Sequence, residues 1–297
     1  MLLDTLEREL PAPGAARVGV TGAPGSGKST LLDRLVVALR QRGESIGVIA
    51  VDPSSPRSGG ALLGDRFRLR NGARDAGVFI RSMAARNRLG GLSDAARASV
   101  LVLAAAFDHV FVETVGVGQS EADVAQLADT LLFVAQPGAG DTLQFMKAGV
   151  LELPDLFAVN KADLGEAARR TAGELEAGLG LSAPAPFANG WTPPVVLVSA
   201  REGHGIDKLC AALDAHRAHL LESGELAARR RRGRTAFIVD NLRQRYGSFG
   251  LERLGGAAEV EKRNATGRDI TTFGLLSELS REIEEHLCPR ENKATRS

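Results

Sequence analysis

The sequence contains few of the residues on which several classes of protein depend. Among its 297 residues are two cysteines, one tryptophan and one tyrosine, and aromatic residues make up only 4%. Cys210 and Cys288 are far apart in the chain, so we predict neither a disulfide framework nor a cysteine-based metal site. The low cysteine content fits a reducing compartment.

Long apolar runs and an excess of charge of one sign are also missing. The net charge of +1, from 37 basic and 36 acidic residues, predicts no nucleic-acid partner and no membrane-surface binding. No apolar run approaches the roughly 20 residues that a membrane span needs. The first residues lack the basic start and apolar run of a secretory signal. We therefore expect a soluble, cytoplasmic protein.

Seven short runs rich in valine and isoleucine alternate with segments of helical character. Runs that are apolar throughout are typical of parallel strands covered on both faces. The alternation predicts a doubly wound α/β domain with a mostly parallel sheet. The predicted strands are residues 17–20, 45–51, 78–80, 110–115, 130–135, 156–160 and 195–199.

The chain length fits one main domain with an extension. We predict an N-terminal lead over 1–16, the α/β domain over 17–220 and a C-terminal helical segment over 221–297. The lead is short and leaves little room for a helical arm. In the C-terminal segment, apolar residues recur at helical spacing. They are Phe237, Ile238, Leu242 and Tyr246, then Leu275, Leu276, Leu279, Ile283 and Leu287.

A phosphate-binding loop is the strongest motif in the sequence. Residues 22–29 match the pattern G-x-x-x-x-G-K-[ST], between a predicted strand and a predicted helix. Backbone amides, the helix N-terminus and the charge of Lys28 would bind phosphates, and Ser29 would offer its hydroxyl to Mg²⁺. The alternative, a glycine-rich turn without a ligand, is disfavoured by the two flanks. The residues expected at the nucleotide are Gly22, Pro24, Gly25, Ser26, Gly27, Lys28, Ser29 and Thr30.

A second motif, NKxD, predicts which base is bound. Asn160, Lys161 and Asp163 follow a predicted strand, where ligands of open α/β sheets bind. The Asp163 carboxylate can accept hydrogen bonds from N1–H and the exocyclic amino group of guanine, whereas adenine offers no such pair of donors. Ser199 and Ala200, after the next strand, stand where backbone amides meet the guanine oxygen. The sequence therefore predicts GTP as substrate and GDP as product.

Three acidic residues are candidates for a magnesium site together with Ser29. Mg²⁺ prefers one or two carboxylates near the γ-phosphate and keeps several waters. Asp52 and Glu113 stand at the ends of predicted strands, and Asp65 lies in a glycine-containing loop. The alternative for each is a buried structural acid. Gly116, beyond Glu113, would donate its amide to the γ-phosphate in a segment that hydrolysis releases.

Four segments together resemble the MeaB family, also called ArgK-like. They are VDPSSPRSGGALLGD, FIRS followed by GGLS, ETVGVGQSE, and GDTLQFMKAGVLELPDLFAVNKAD. The resemblance runs from about Arg17 to His219. It implies a homodimeric GTPase chaperone, with C-terminal helices in the dimer contact, that docks on an adenosylcobalamin-dependent acyl-CoA mutase such as methylmalonyl-CoA mutase. Its GTP cycle would gate cofactor loading and the removal of damaged cofactor.

The resemblance also implies three switch segments, at residues 52–65, 113–119 and 136–147. In the third, Asp141, Gln144 and Lys147 match the family pattern, whereas Thr142 replaces the usual acid. We predict that docking on the mutase moves Lys147 toward the γ-phosphate. Lys28 and Glu113 would already lie at the site, and Asp65 would orient the attacking water. The alternative is a solvated lysine on a helix.

Other features of the sequence are less specific. The run Arg229–Arg232 would bind an acidic partner surface or a CoA phosphate, or is a solvated helix face. His204, His216 and His219 are expected at the surface rather than as metal ligands. Two alternative functions are a GTPase that inserts nickel or another metal, which usually carries cysteine or histidine clusters, and an ATP-using kinase of a transport system. A third is a purely structural phosphate-loop module.

Overall fold

In the described part of the chain, seven strands form one sheet in which every pairing is parallel. The computed structural model describes residues 2–53, 75–85, 94–114, 120–138, 153–182, 190–266 and 271–287. The strands are β1 (Ala16–Thr21), β2 (Ile46–Pro53), β3 (Val78–Ala85), β4 (His109–Thr114), β5 (Thr130–Ala135), β6 (Leu156–Val159) and β7 (Val195–Leu197). Each corresponds to a predicted apolar run, so the predicted parallel α/β fold is confirmed.

The order of strands places the phosphate loop near the middle of the sheet. The order is β3-β2-β4-β1-β5-β6-β7, so β1 lies between β4 and β5. Its register pairs Val20 with Glu113 on one side and with Leu132 on the other. Strands that follow β1 in the sequence lie on both sides of it, so the carboxyl ends of β1 and β4 lie where α/β sheets bind ligands.

Helices follow most of the strands. They are α2 (Lys28–Gln41), α3 (Asp94–Ala106), α4 (Ser120–Leu127), α5 (Glu166–Ser182) and α6 (Ile206–Glu222), with a short 3₁₀ helix at Ala162–Leu164. Helix α2 buries Leu31, Leu35 and Leu39, which share one face because they recur every fourth residue. Cys210 of α6 joins the same core, and burial raises the pKa of its thiol to about 11, so it is a packing residue rather than a nucleophile.

The chain divides into two compact units. The nucleotide unit comprises residues 11–227, and the helical unit comprises residues 1–10 and 228–297. The helical unit contains α1 (Leu2–Glu9), most of α7 (Glu225–Arg253), α8 (Gly256–Thr266) and α9 (Thr272–Leu287). The division falls inside α7, a few residues beyond the boundary predicted at 220/221. No helix among the described ranges is both long and apolar enough to cross a membrane.

The N-terminal lead contains a helix, although its length was expected to leave little room for one. Helix α1 belongs to the helical unit because its acids meet the start of α9. The carboxylate of Glu7 accepts hydrogen bonds from the Thr272 amide (2.7 Å) and hydroxyl (2.6 Å), and Asp4 accepts one from the Thr271 hydroxyl. Carboxylates at a helix N-terminus satisfy free amides and match the helix dipole.

The predicted apolar positions form most of the core of the helical unit. Phe237, Ile238, Leu242, Leu275, Leu276, Leu279 and Ile283 are buried together. Tyr246 is half-buried, and its hydroxyl donates to Glu284 Oε1 at 2.6 Å. Leu287 lies at the end of α9 and is 42% exposed. Helix α7 is kinked at Gly247, whose positive φ of 71° is a conformation that glycine adopts without strain.

Candidate nucleotide site

Three glycines of the phosphate loop have positive φ angles, and two of them, Gly22 and Gly27, are closely packed. Gly22 has a φ of 136°, and a Cβ there would lie 2.2 Å from Val134 O in β5. Gly27 has a φ of 89°, and a Cβ there would lie 2.4 Å from Asn160 Nδ2. Any side chain would therefore push the loop away from its neighbours. The pattern of glycines in the motif reflects these close approaches as well as backbone freedom.

The first residues of α2 bring a cation and a hydroxyl to the loop. Lys28 is 7% exposed, and its ammonium donates to Gly22 O (2.8 Å) and Ala23 O (3.0 Å). The lysine charge thus lies at the loop that the motif predicts to bind phosphate oxygens. Ser26 is fully buried, whereas Pro24, Gly25 and Thr30 are exposed.

Ser29 and Glu113 lie in direct contact at the ends of neighbouring elements. The Ser29 hydroxyl donates to Glu113 Oε1 at 2.6 Å, and Glu113 is 6% exposed. Glu113 pairs in register with Val20 of β1 and with Ala50 of β2, two residues before Asp52. The structure therefore joins two of the predicted metal ligands and places a third on the adjacent strand.

Asn160 joins the phosphate loop to the loop after β7. Its Nδ2 donates to Ser26 O at 2.8 Å, and its Oδ1 accepts from the Ala200 amide at 3.0 Å. Its own amide donates to Ala135 O at 2.9 Å. One buried side chain thus fixes the position of both loops, a role that the motif alone did not predict.

Asp163 and Ser199 form the part of the site suited to the base. The Ser199 hydroxyl donates to Asp163 Oδ1 at 2.7 Å. This hydrogen bond is the main reason why the pKa of Asp163 lies below its ordinary value of 3.8. Because Asp163 is charged, it can accept two hydrogen bonds from one edge of guanine. Lys161 has a φ of 60° and donates to Gln136 Oε1, so its side chain bends back toward the end of β5.

Arg34 contacts this region although it belongs to no motif. It lies on α2, and its guanidinium donates from Nε to Ala200 O (2.8 Å) and from Nη2 to Arg201 O (2.9 Å). The two partners are separated from it by more than 160 residues in the chain. No spacing rule in the sequence could have indicated this contact.

Several predicted site residues lie outside the described part of the chain. They are Asp65, Gly116 and Lys147, together with Asp141, Thr142 and Gln144. Asp52 lies in β2, where its backbone pairs in register with Ala84. The roles proposed for these residues remain predictions.

The histidines do not behave as one group. His216 is fully buried, which corrects the expectation of a surface residue. Its Nδ1 lies 2.8 Å from Thr130 Oγ1, and its ring centroid is 4.7 Å from that of Trp191. Spacing along α6 could not reveal this burial, because the contacts come from β5 and from the segment before β7. The side chain of His204 is 77% exposed, as expected.

These features define the class of the protein. A P-loop GTPase has a phosphate loop between β1 and α2, a hydroxyl and a carboxylate beside it, and an NKxD motif with a charged aspartate, all on a parallel sheet. The protein is a GTPase, as the sequence predicted.

Comparison with known proteins gives the family. The model of the family described as "Methylmalonyl Co-A mutase-associated GTPase MeaB" matches residues 2–246, and the chain belongs to this family. A protein of Pyrococcus horikoshii named as a GTPase is 48% identical over 228 residues, which cover 76% of this chain and 72% of that protein. The mouse "Methylmalonic aciduria type A homolog, mitochondrial" is 39% identical over 221 residues, covering 73% of this chain and 53% of that protein.

A solved structure has the same fold. The crystal structure of an LAO/AO transport system kinase superimposes with a TM-score of 0.64 and 27% identity, covering 95% of this chain and 85% of that chain. The resemblance predicted from the four sequence segments is therefore confirmed.

Proposed function

We propose that the protein couples GTP hydrolysis to the loading and protection of adenosylcobalamin in an acyl-CoA mutase, with methylmalonyl-CoA mutase as the first candidate. The observation that carries this proposal is membership of a family described by its association with that mutase, over residues 2–246. The mouse relative, whose name refers to methylmalonic aciduria, supports the same partner. In this proposal the protein works in the cytoplasm as a homodimer.

The nucleotide would lie along the loops already described. Free backbone amides of the phosphate loop and the Lys28 ammonium would bind the phosphates, with Gly116 donating to the γ-phosphate. Lys28 would exchange its loop carbonyls for phosphate oxygens, which are stronger acceptors for an ammonium. Asn160, Lys161 and Asp163 would hold guanine. Ser199 and Ala200 would complete the base pocket.

A magnesium ion fits the pair formed by Ser29 and Glu113. Hydroxyl and carboxylate oxygens are the ligands that Mg²⁺ prefers, and these two lie 2.6 Å apart. Ser29 and Glu113, with Asp52 and Asp65, would hold the ion. When bound, it would neutralise charge on the β- and γ-phosphates.

Hydrolysis requires further positive charge and a positioned water. Phosphoryl transfer is catalysed mainly by positioning and by cations that stabilise the charge of the transition state. Lys28 would supply one cation from the start, and Lys147 would supply a second when the mutase docks. Asp65 would orient the attacking water. The isolated protein should therefore hydrolyse GTP slowly.

The test is the steady-state GTPase rate with and without methylmalonyl-CoA mutase. We expect the mutase to accelerate hydrolysis by about fivefold to about a hundredfold. Lys147→Ala should abolish this acceleration while GDP affinity stays within about 0.5 kcal/mol. The matched control is Lys208→Ala, which removes an exposed lysine on α6 and should leave the acceleration intact.

Two outcomes would contradict parts of the proposal. If Lys147→Ala is still fully stimulated, Lys147 has no part in activation. If no acyl-CoA mutase changes the rate, the chaperone role is wrong, and a nickel-dependent change in GTPase rate would favour metal insertion instead.

The transport-kinase alternative is suggested by the name of the related protein of known structure, an LAO/AO transport system kinase. Adenine lacks the adjacent N1–H and amino donors that a charged Asp163 would accept from guanine, which argues against this alternative. Calorimetry that finds ATP bound as tightly as GTP would favour this alternative.

A further inference from the structure

Arg34 connects the helix that begins at the phosphate loop with the loop expected to bind the base. The guanidinium of this α2 residue spans two successive carbonyls, those of Ala200 and Arg201, at 2.8 and 2.9 Å. Ala200 is 2% exposed, and its amide already donates to Asn160 Oδ1. Arg34 and Asn160 therefore bind the carbonyl and the amide of the same residue.

The chemistry of arginine suits this contact. Guanidinium presents its N–H groups in a rigid plane, so two bonds fix both the position and the tilt of the backbone that accepts them. The Ala200 carbonyl belongs to the same peptide group as the Arg201 amide. A charged donor on that carbonyl polarises the peptide and makes its N–H a stronger donor.

We propose that Arg34 is a positioning residue for guanine recognition. It orients and polarises the peptide between Ala200 and Arg201, so that the Arg201 amide donates to the oxygen on carbon 6 of the base. Asp163 accepts hydrogen bonds from the other two groups on this edge of guanine, the N1–H and the amino group. Base selection would then depend on an α2 residue that does not touch the nucleotide. This inference concerns the nucleotide site alone and does not depend on a mutase partner.

The experiment compares three diphosphates in wild type and Arg34→Ala. GDP has the carbon-6 oxygen, 6-thio-GDP replaces it with sulfur, a weaker acceptor, and IDP keeps it but lacks the amino group read by Asp163. We expect Arg34→Ala to raise the GDP dissociation constant about tenfold, the size of one charge-assisted hydrogen bond. The preference for GDP over 6-thio-GDP should shrink at least threefold, whereas the preference for GDP over IDP should not change. The kcat at saturating GTP should stay within about twofold.

Two further variants separate positioning from folding. Arg34→Lys keeps the charge without the planar fork, and it should also weaken GDP binding while it retains the wild-type melting temperature. Arg40→Ala, on the same helix, removes an arginine that bonds both carboxylate oxygens of Asp75 at 2.9 Å, and it should leave all three nucleotide affinities unchanged.

Two results would overturn the proposal. One is GDP affinity within twofold of wild type in both Arg34 variants. The other is an equal loss for all three diphosphates with both preferences unchanged, because a purely structural role weakens every nucleotide alike. If Arg34→Ala does not fold, the same comparisons are made with Arg34→Lys.

Discussion

Asn160 and Asp163 are three positions apart in the NKxD motif, and their side chains make different hydrogen bonds. The side chain of Asn160 bonds to two backbone groups of the protein, the Ser26 carbonyl and the Ala200 amide, so it shapes the site. Asp163 accepts a hydrogen bond from the Ser199 hydroxyl at one oxygen, and in the proposed site it is the acceptor for the base. Loss of Asn160 should therefore disturb both loops, whereas loss of Asp163 should affect base choice.

Replacing Asp163 tests base selection. Asp163→Ala should weaken GDP binding by about 1.5–3 kcal/mol, because it removes the charged partner of two guanine donors. Asp163→Asn should shift the preference toward xanthine nucleotides, whose extra oxygen accepts from the new amide. Calorimetric titration measures both changes. Asp207→Ala, at an exposed position on α6, is the control that should bind GDP normally.

The pH dependence of GDP binding follows from the same residue. The pKa of Asp163 is lowered, so the side chain remains charged down through the ordinary range of carboxyl groups. GDP affinity should therefore be constant from about pH 8 to about pH 5, with any loss through Asp163 only at lower pH. A loss of affinity centred near pH 6 in the wild type, and missing in Asp163→Asn, would contradict this assignment.

At the scale of elements, strands could be predicted and long-range side-chain contacts could not. All seven strands are visible as apolar runs because a strand buried on both faces tolerates few polar residues. Helix α1 has no comparable signal: its eight residues are held by Glu7 and Asp4 meeting α9, more than 260 positions away. Arg34 and His216 were missed for the same reason, since their partners come from distant elements.

The motifs name the residues of the proposed nucleotide site, but they do not predict how these residues contact one another. Ser29 and Glu113 were both predicted as metal ligands, and the structure brings them into contact because β1 and β4 are neighbours. That adjacency is a property of strand order, which apolar runs do not specify.

Gly27 tests whether the junction between the phosphate loop and Asn160 is tightly packed. Gly27→Ala adds a Cβ 2.4 Å from Asn160 Nδ2 at a φ of 89°. The left-handed backbone alone should cost about 1–2 kcal/mol, and displacing Asn160 should add to that. Urea unfolding without nucleotide measures the total.

Gly43→Ala is the matched control for this variant. Gly43 has a φ of 82°, and nothing lies within 4 Å of a Cβ built there. Gly43→Ala should therefore lower the free energy of unfolding only by the cost of the left-handed backbone. Equal destabilisation of the two variants would show that the close approach to Asn160 adds nothing to the loss of stability.

At the scale of the whole molecule, the chain divides into two units, and the proposed GTP site lies in one of them. The nucleotide unit contains every described residue of the proposed GTP site, and the helical unit has a core of its own. Family resemblance implies that C-terminal helices form a dimer contact. The described part of the helical unit presents a large apolar side chain on α7, Phe249, which is 60% exposed in the single chain.

Phe249 provides the test of dimerisation. We expect light scattering to give a mass near twice the 31.3 kDa of one chain. Burying a phenylalanine contributes about 1.5–3 kcal/mol, and an unpaired carboxylate in its place is strongly unfavourable. Phe249→Asp should therefore shift the protein toward monomers.

The control is Val102→Asp on α3, which places the same charge at a 43% exposed position of the nucleotide unit and should leave the mass unchanged. A wild-type protein that is monomeric at micromolar concentration, or two variants with the same mass as wild type, would remove Phe249 from any dimer contact. Intact GTP hydrolysis by Phe249→Asp would show in the same samples that the nucleotide unit does not need the dimer for its chemistry.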